Sequence, residues 1–588
     1  MSIVFGDTAA CLRIEIDGGI AGNIMKSAAD YAAAIEHERP VIVQSDRTVL
    51  LETSGPLFEE ARSFLSSFAE IEKTPEYVHT FRISPLSLWN AASLHVGTDH
   101  IIGGLRKYSR YPLPQNVERS IVNHMSRYGK VKLVSENGGL FVVSEDNSMM
   151  EEVMTDAGMR PYILGPPESG RLPVMADRRG HIKQALFSIG YPAEDLAGYT
   201  DGEFLEIALR EATLSGDRFM LRPYQTDSAD AFYAGGAVSG GSGIIALPCG
   251  AGKTAVGMAI MAKTRRSTLV ICPNNIGVSQ WLEELLDKTT LTREQIGIYT
   301  GERKEIGQVT LTTYQILTWR KGEEEPFPHF DIFRKREWGL IIYDEVHLLP
   351  APVFSITAEL QGVRRLGLTA TLVREDGREK DVFTLIGPKK YDVPWRILEK
   401  QGWIATVACH EYRTGFGSDD ERMAYATAPA KRKFGIAARN RKKLSIMEEL
   451  VLRHGEERIL IIGDYLDQMH EAAAKMGVPL ITGKMPEKKR EEFYRMFRDG
   501  AIRVLAVTKV ANFALNLPEA SVAIQISGTF GSRQEEAQRI GRILRPKSSG
   551  RQASFYTVVT KDTVETDFAA NREMFMTEQG YTYRIADA

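Results

Sequence analysis

Hydrophobic and polar positions change their rhythm near Phe219. Beyond it, short apolar runs recur between amphipathic stretches: GSGIIALP, STLVICP, GQVTLTTY, WGLIIYDE and RRLGLTAT. Runs that are apolar at nearly every position suit strands of a parallel sheet, because crossover helices cover both of its faces. A second series follows after Lys400: RILIIGDY, VPLITG, RVLAVT, SVAIQIS and ASFYTVV. Two α/β lobes are predicted. Between the two series, Glu421 to Val451 is helical in pattern and strongly basic.

Upstream the elements are shorter and mixed. VIVQSDRTVLLE reads as two β-runs broken by a turn at Ser45 and Asp46. ISPLSLWNAAS reads as an N-capped helix with Trp89 on its apolar face. Ser109 to Gly129 reads as a proline-started helix stopped by glycine. A Pro/Gly-rich break, LGPPESG, precedes a further helix, RRGHIKQALFSIG, which starts on basic residues. The expected division is 1–156, 157–217, 218–398 and 399–588. The expected fold class is α/β, with smaller α+β domains ahead of the two lobes.

A chain of 588 residues is too long for a single core, which agrees with several domains. Its net charge of −3 means that any nucleic-acid surface is a local patch. Cys11, Cys249, Cys272 and Cys409 are scattered, without CxxC spacing. That argues against a zinc site or a disulfide framework and points to a reducing cytoplasm. No secretory pattern opens the chain and no apolar run is long enough to span a membrane, so no membrane partner is expected.

The chemistry starts at LPCGAGKTAVGMAIM, Leu247 to Met261. A phosphate loop needs small residues so that backbone N–H groups converge on phosphate, a lysine for the β/γ oxygens and a hydroxyl for Mg²⁺. Pro248, Cys249, Gly250, Ala251, Gly252, Lys253 and Thr254 supply these between a strand and a helix. Leu247 stands where the strict pattern has glycine. LIIYDEVHLLP then ends an apolar strand in Asp344 and Glu345. Asp344 is placed to hold Mg²⁺ through water, and Glu345 to orient and deprotonate the attacking water. Thr369, Ala370 and Thr371 close another strand, where small hydroxyl residues relay between an ATP site and a nucleic-acid groove. GSRQEEAQRIGRILRPK carries Gln538, Arg539 and Arg542 on neighbouring turns. Guanidinium groups reaching a γ-phosphate from another lobe make hydrolysis depend on lobe closure. Arg222 and Gln225, ahead of the loop, are candidates for reading the adenine edge.

LPCGAGKT, DEVHLLPAPVF, LTATLVREDG, LIGPKKYDVPW and GSRQEEAQRIGRILRPK together resemble the XPB branch of superfamily 2 DNA helicases. The resemblance is dense from 219 to 575 and extends to VIVQSDRTVLLE, SLWNA and SRYPLP. It implies two RecA-like lobes and an ATP- and Mg²⁺-dependent 3′→5′ DNA helicase with a repair role. It implies that Lys253, Thr254, Asp344 and Glu345 run hydrolysis, that Arg539 and Arg542 act as fingers, and that Arg374, Glu375 and Asp376 couple to duplex opening. It also implies a thumb-like insertion at 420–446 and a small damage-recognition domain at 157–217. TKVANFALNLPEA departs from common motors of this superfamily. It has Ala511, Asn512 and Asn516 where Gly-Asp and a later Asp are usual, which bears on coupling more than on hydrolysis.

A DNA strand crossing both lobes would meet helix N-termini, hydroxyls and basic side chains, which grip phosphates without reading sequence. The candidates are Thr300, Gly301, Arg303, Lys304 and Thr312 in the first lobe. In the second they are Thr482, Gly483, Thr508 and Lys509, with the basic run Lys431, Arg432, Lys433, Arg439, Arg441, Lys442 and Lys443. The expected partner is single-stranded or forked DNA, with a nuclease or repair protein beside it, and the chain is expected to work as a monomer. Two other outputs stay open: a duplex translocase that leaves strands paired, and an ATP-gated scaffold for a nuclease.

Overall fold

The computed structural model describes residues 39–73, 77–248, 250–322, 325–370, 379–393, 395–508, 520–528, 540, 552–578, 581 and 583–588. The chain divides into two units, residues 1–125 and 126–588.

In the first unit, Val41–Val43, Thr48–Glu52, Val78–Arg82 and Glu70–Lys73 lie side by side in one antiparallel sheet. The first hairpin turns where the Asp46 carboxylate accepts the Thr48 N–H at 2.9 Å, and Arg47 takes a φ of 73°. The helix Pro85–Ser93 opens on a Ser84 capping box. It buries Trp89, whose indole N–H donates to the His124 carbonyl at 3.0 Å.

The second unit opens with a small four-stranded module: Arg171–Val174, Gly139–Val143, Lys132–Glu136 and Glu194–Leu196, in that order. The helices Asn147–Thr155 and Arg179–Ser188 bury Met150, Val153, Ile182 and Leu186 against it. The boundary expected between 156 and 157 therefore falls inside this module, because strands from both sides of it share one sheet. The segment after the module does not belong to it either. Thr200 N–H donates to Gly362 at 2.7 Å, Glu203 N–H to Glu337 at 2.9 Å and Leu205 N–H to Arg265 at 3.0 Å. Leu205 and Ile207 alternate into the core of the first lobe, so this stretch is a strap along that lobe.

The first lobe is a seven-stranded parallel sheet ordered Ile296–Tyr299, Val309–Thr313, Thr268–Cys272, Leu340–Asp344, Arg364–Thr369, Ser242–Ala246, Lys389–Asp392. The second lobe repeats the plan with Leu480–Ile481, Val504–Thr508, Ile459–Gly463, Val522–Gln525, Ala553–Thr560, Val407–Thr414 and Tyr583–Asp587. The central strands are buried along their length, which is why they read as continuous apolar runs.

The basic stretch at 420–446 forms three helices, Asp419–Thr427, Ala430–Ala438 and Lys442–Arg453. The last extends beyond the expected thumb-like insertion and is part of the lobe. Leu444, Met447, Leu450 and Val451 pack into its core. Lys443 shares their face, is 0% exposed and pairs with Glu565 at 2.6 Å. Consecutive lysines read as one charge run, but the helical period turns Lys442 outward and Lys443 inward.

Candidate functional site: an ATP-hydrolysing centre at the strand ends of the first lobe

The buried strand Ser242–Ala246 leads into the loop, and the helix Lys253–Thr264 leaves it. Gly250 and Gly252 take φ values of 80° and 81°, a conformation glycine adopts without the Cβ penalty. A side chain at Gly252 would also collide with the Gln225 amide. Ala251 N–H donates to the Pro248 carbonyl at 3.1 Å, closing the turn. Leu247, in place of the usual glycine, is buried in the lobe core, and its N–H donates to the Thr369 carbonyl at 2.9 Å.

Lys253 reaches across to the end of Leu340–Asp344, where its ammonium lies 2.8 Å from Glu345 Oε1. The two side chains are 12% and 15% exposed, so the pair is largely removed from water. Burial works to raise the Glu345 carboxyl, and Lys253 followed by His347 more than offset it, so Glu345 is held below the ordinary carboxylate range. Burial and the neighbouring Glu345 charge drive Asp344 the other way, upward. Glu345 itself sits in the left-handed region at φ 48°, a strained place for a residue with a side chain. The Asp344 carboxylate accepts the Glu345 N–H at 3.1 Å and helps hold it there.

Asp344 is further held by two aromatic donors. The Trp281 indole N–H donates to Oδ2 at 3.0 Å, and the Tyr314 hydroxyl donates to the Asp344 carbonyl at 3.0 Å. His347 shares a hydrogen bond with Thr369 at 2.8 Å, which ties this strand end to the next one. A hydroxyl (Thr254) and a desolvated carboxylate (Asp344) are hard oxygen donors, and they fit Mg²⁺.

Gln225 is placed under the loop. Its amide oxygen accepts the Arg222 N–H at 2.9 Å, and its amide nitrogen donates to the Ala251 carbonyl at 2.8 Å. With one bond at each end of its amide, it ties the start of its own helix to the turn of the loop. Arg222 lies over the Trp403 ring at 5.0 Å and donates to the Trp403 carbonyl at 3.2 Å.

The DNA candidates separate by exposure. Arg303, Lys431 and Arg432 are exposed, and Thr482 and Lys433 are half-buried. Lys304 is exposed and turns back to donate to the Thr300 carbonyl at 2.6 Å. Thr312 is 0% exposed within its strand and cannot meet a phosphate; the next residue, Thr313, caps the helix Tyr314–Leu317. Thr508 is buried at the end of its strand, and Lys443 is excluded by its pairing with Glu565. Cys249, Thr371, Arg374, Glu375, Asp376, Lys509, Ala511, Asn512, Asn516, Gln538, Arg539 and Arg542 lie outside the described residues.

Sequence reasoning missed Trp281, Tyr314 and the left-handed Glu345. Trp281 lies in VSQWLEELL, where an apolar residue at helical spacing reads only as core. Its partner is 63 positions away.

Three family models match the chain. One described as the ERCC3/RAD25/XPB C-terminal helicase matches residues 398–588, and one described as the type III restriction enzyme res subunit matches 218–374. A helicase conserved C-terminal domain model matches 41–165. The DNA 3'-5' helicase XPB of Mycobacterium tuberculosis is 50% identical over 551 residues, covering 93% of this chain and 98% of that protein. The protein of the same name from Kineococcus radiotolerans is 49% identical, covering 93% and 96%. The general transcription and DNA repair factor IIH helicase/translocase subunit XPB/SSL2 of Saccharomyces cerevisiae is 30% identical, covering 93% and 72%. With half of its residues shared along nearly the whole chain, and a phosphate loop closed against an Asp-Glu strand end, the protein belongs to the XPB family of DNA helicases.

Proposed function

We propose that this protein is an ATP-dependent 3′→5′ DNA helicase that acts in DNA repair. The observation that carries this reading is the meeting of Lys253, Glu345 and Asp344 at adjoining strand ends of one lobe. Substrate and polarity follow the names of the bacterial relatives, and the repair role follows that of the yeast relative. A nuclease or another repair protein is the partner class we propose.

Thr254 and Asp344 would hold Mg²⁺, which when bound neutralises charge on the transferring phosphoryl group. ATP enters a loop whose lysine already engages Glu345. The triphosphate competes for that ammonium, and Glu345 is then free to accept a proton from water. Because Glu345 stays below the ordinary carboxylate range while paired, it enters this step as the anion. His347 and Thr369 link the strand end that moves the proton to its neighbour, which gives the centre a route toward the groove. Arg539 and Arg542 from the second lobe are proposed to complete the centre on closure.

The test is ATP hydrolysis by wild type and Lys253→Ala, with and without DNA, followed by strand displacement on 3′- and 5′-tailed forks. DNA-stimulated hydrolysis lost in Lys253→Ala, with displacement from the 3′ tail, supports the helicase. Stimulation by blunt duplex without displacement turns the reading to a translocase. Hydrolysis indifferent to DNA overturns the motor.

A further inference from the structure

A buried tryptophan needs a partner for its N–H, and a backbone carbonyl normally suffices. Two buried tryptophans here follow that rule: Trp89 donates to His124 at 3.0 Å and Trp338 to Ile332 at 2.9 Å. Trp281 does not. It is 1% exposed, and its donor is spent on Asp344 Oδ2 at 3.0 Å.

The ring's surroundings make this more than a chance contact. Trp281 stands on the helix Asn275–Lys288, whose start is fixed by the Asn274 side chain accepting the Ile276 and Gly277 N–H groups. Its far edge lies against Gly257, one turn beyond Lys253 and Thr254 on the loop helix. A Cβ at Gly257 would come within 2.5 Å of Trp281 Cη2. One rigid ring therefore spans from the loop helix to the strand end that carries Asp344. The other carboxylate oxygen accepts the Glu345 N–H, and Tyr314 holds the carbonyl. With a protein donor on each oxygen, the carboxylate has one orientation, and each oxygen keeps a lone pair for a metal-bound water.

We propose that Trp281 is a positioning residue of the ATPase centre, whose indole N–H orients Asp344 toward Mg²⁺ and whose ring sets the spacing between Asp344 and the loop helix. The proposal rests on the reading of Asp344 as the metal-holding carboxylate.

Two perturbations separate the N–H from the ring. Replacing Trp281 with 3-benzothienylalanine keeps the shape and puts sulfur where the N–H was. Gly257→Ala keeps the N–H and pushes the ring. Trp281→Phe is a coarser third variant. The readout is equilibrium binding of a fluorescent ADP across a Mg²⁺ titration and again in EDTA, with thermal unfolding alongside. The benzothienyl and Gly257→Ala proteins are expected to need on the order of 10-fold more Mg²⁺ for half-maximal tightening of nucleotide binding. Their binding in EDTA should match wild type. Unchanged Mg²⁺ dependence in the benzothienyl protein overturns the proposal, as does weakening that is equal with and without Mg²⁺. Asp344→Asn is the control for the reading beneath it. If Asp344→Asn leaves the Mg²⁺ dependence intact, Asp344 is not the metal carboxylate and the site reading fails. If Asp344→Asn shifts it and the position-281 variant does not, the Trp281 proposal alone fails.

Discussion

Glu345 combines three features that rarely coincide: a left-handed backbone, a carboxylate held low by Lys253, and a position at a strand end. Strain kept at one residue by its surroundings marks a group with a task. We predict that Glu345→Gln keeps ATP binding and lowers the hydrolysis rate by roughly 10²- to 10⁴-fold, the usual worth of a positioned base. Measured together, loss of nucleotide affinity as large as the loss of rate would argue against a base. His79 is a buried titratable residue in the sheet of the first unit. Its ring packs against Phe58, and its Nδ1 is buried without a hydrogen-bond partner among the described residues. Burial first, and Arg62 second, push its pKa down to about 4 from 6.5. The unfolded chain therefore takes up the proton before the folded one does. Stability of the first unit should be full above pH 6.5, fall as pH drops toward 4, and level off below, by about 3 kcal/mol at most. His79→Phe should flatten that slope, read by hydrogen exchange of Val78–Arg82 normalised to intrinsic rates. An unchanged slope would place the titrating group elsewhere.

Among elements, the helix Lys442–Arg453 shows how one basic run divides between two jobs. Lys443 is sealed against Glu565, which also accepts the Thr560 N–H at 2.9 Å. Removing one member of a buried pair strands the other charge, at a cost of roughly 3–5 kcal/mol. Lys443→Met should destabilise the protein by about that much in denaturant unfolding, and Lys443→Met with Glu565→Leu should recover most of it. Neutralising the exposed Lys431 and Arg432 should leave unfolding unchanged and weaken DNA binding more at low salt than at high. A loss of stability on neutralising Lys431 and Arg432 as large as that from Lys443→Met alone would mean that the outer helix is structural too.

Across the second unit, the helix Arg179–Ser188 fastens the small module to the first lobe. Lys183 donates to Gln361 at 3.1 Å, Gln184 to Asp381 at 3.1 Å, and Phe187 meets Phe383 at 5.7 Å. Gly180 lets the backbones close: a Cβ there would lie 2.5 Å from the Ala358 carbonyl oxygen. Gly180→Val should part the two helices at a cost of roughly 1–3 kcal/mol. Faster hydrogen exchange is expected in both Arg179–Ser188 and Ala351–Glu359, with hydrolysis in the absence of DNA retained. Unaltered protection in both helices would show that the contact does not hold the module.

The sequence by itself determined the two parallel lobes, the phosphate loop and the Asp-Glu strand end. These depend on local patterns: continuous apolar runs, glycines where φ is positive, and a lysine and hydroxyl at a helix start. It also carried the family, because those motifs are close to contiguous. It did not determine which charged or hydroxyl residues face outward. Thr312 and Lys443 look like surface or ligand groups until the fold buries both, Lys443 beside the distant Glu565. Nor could it place the domain boundary at 125/126, since Lys132–Glu136 and Glu194–Leu196 pair across some 60 residues of chain. The hydrogen bond from Trp281 to Asp344 belongs to the same class. Spacing along a chain constrains neighbours within a turn or a strand, whereas contacts between elements exist only once packing has brought them together.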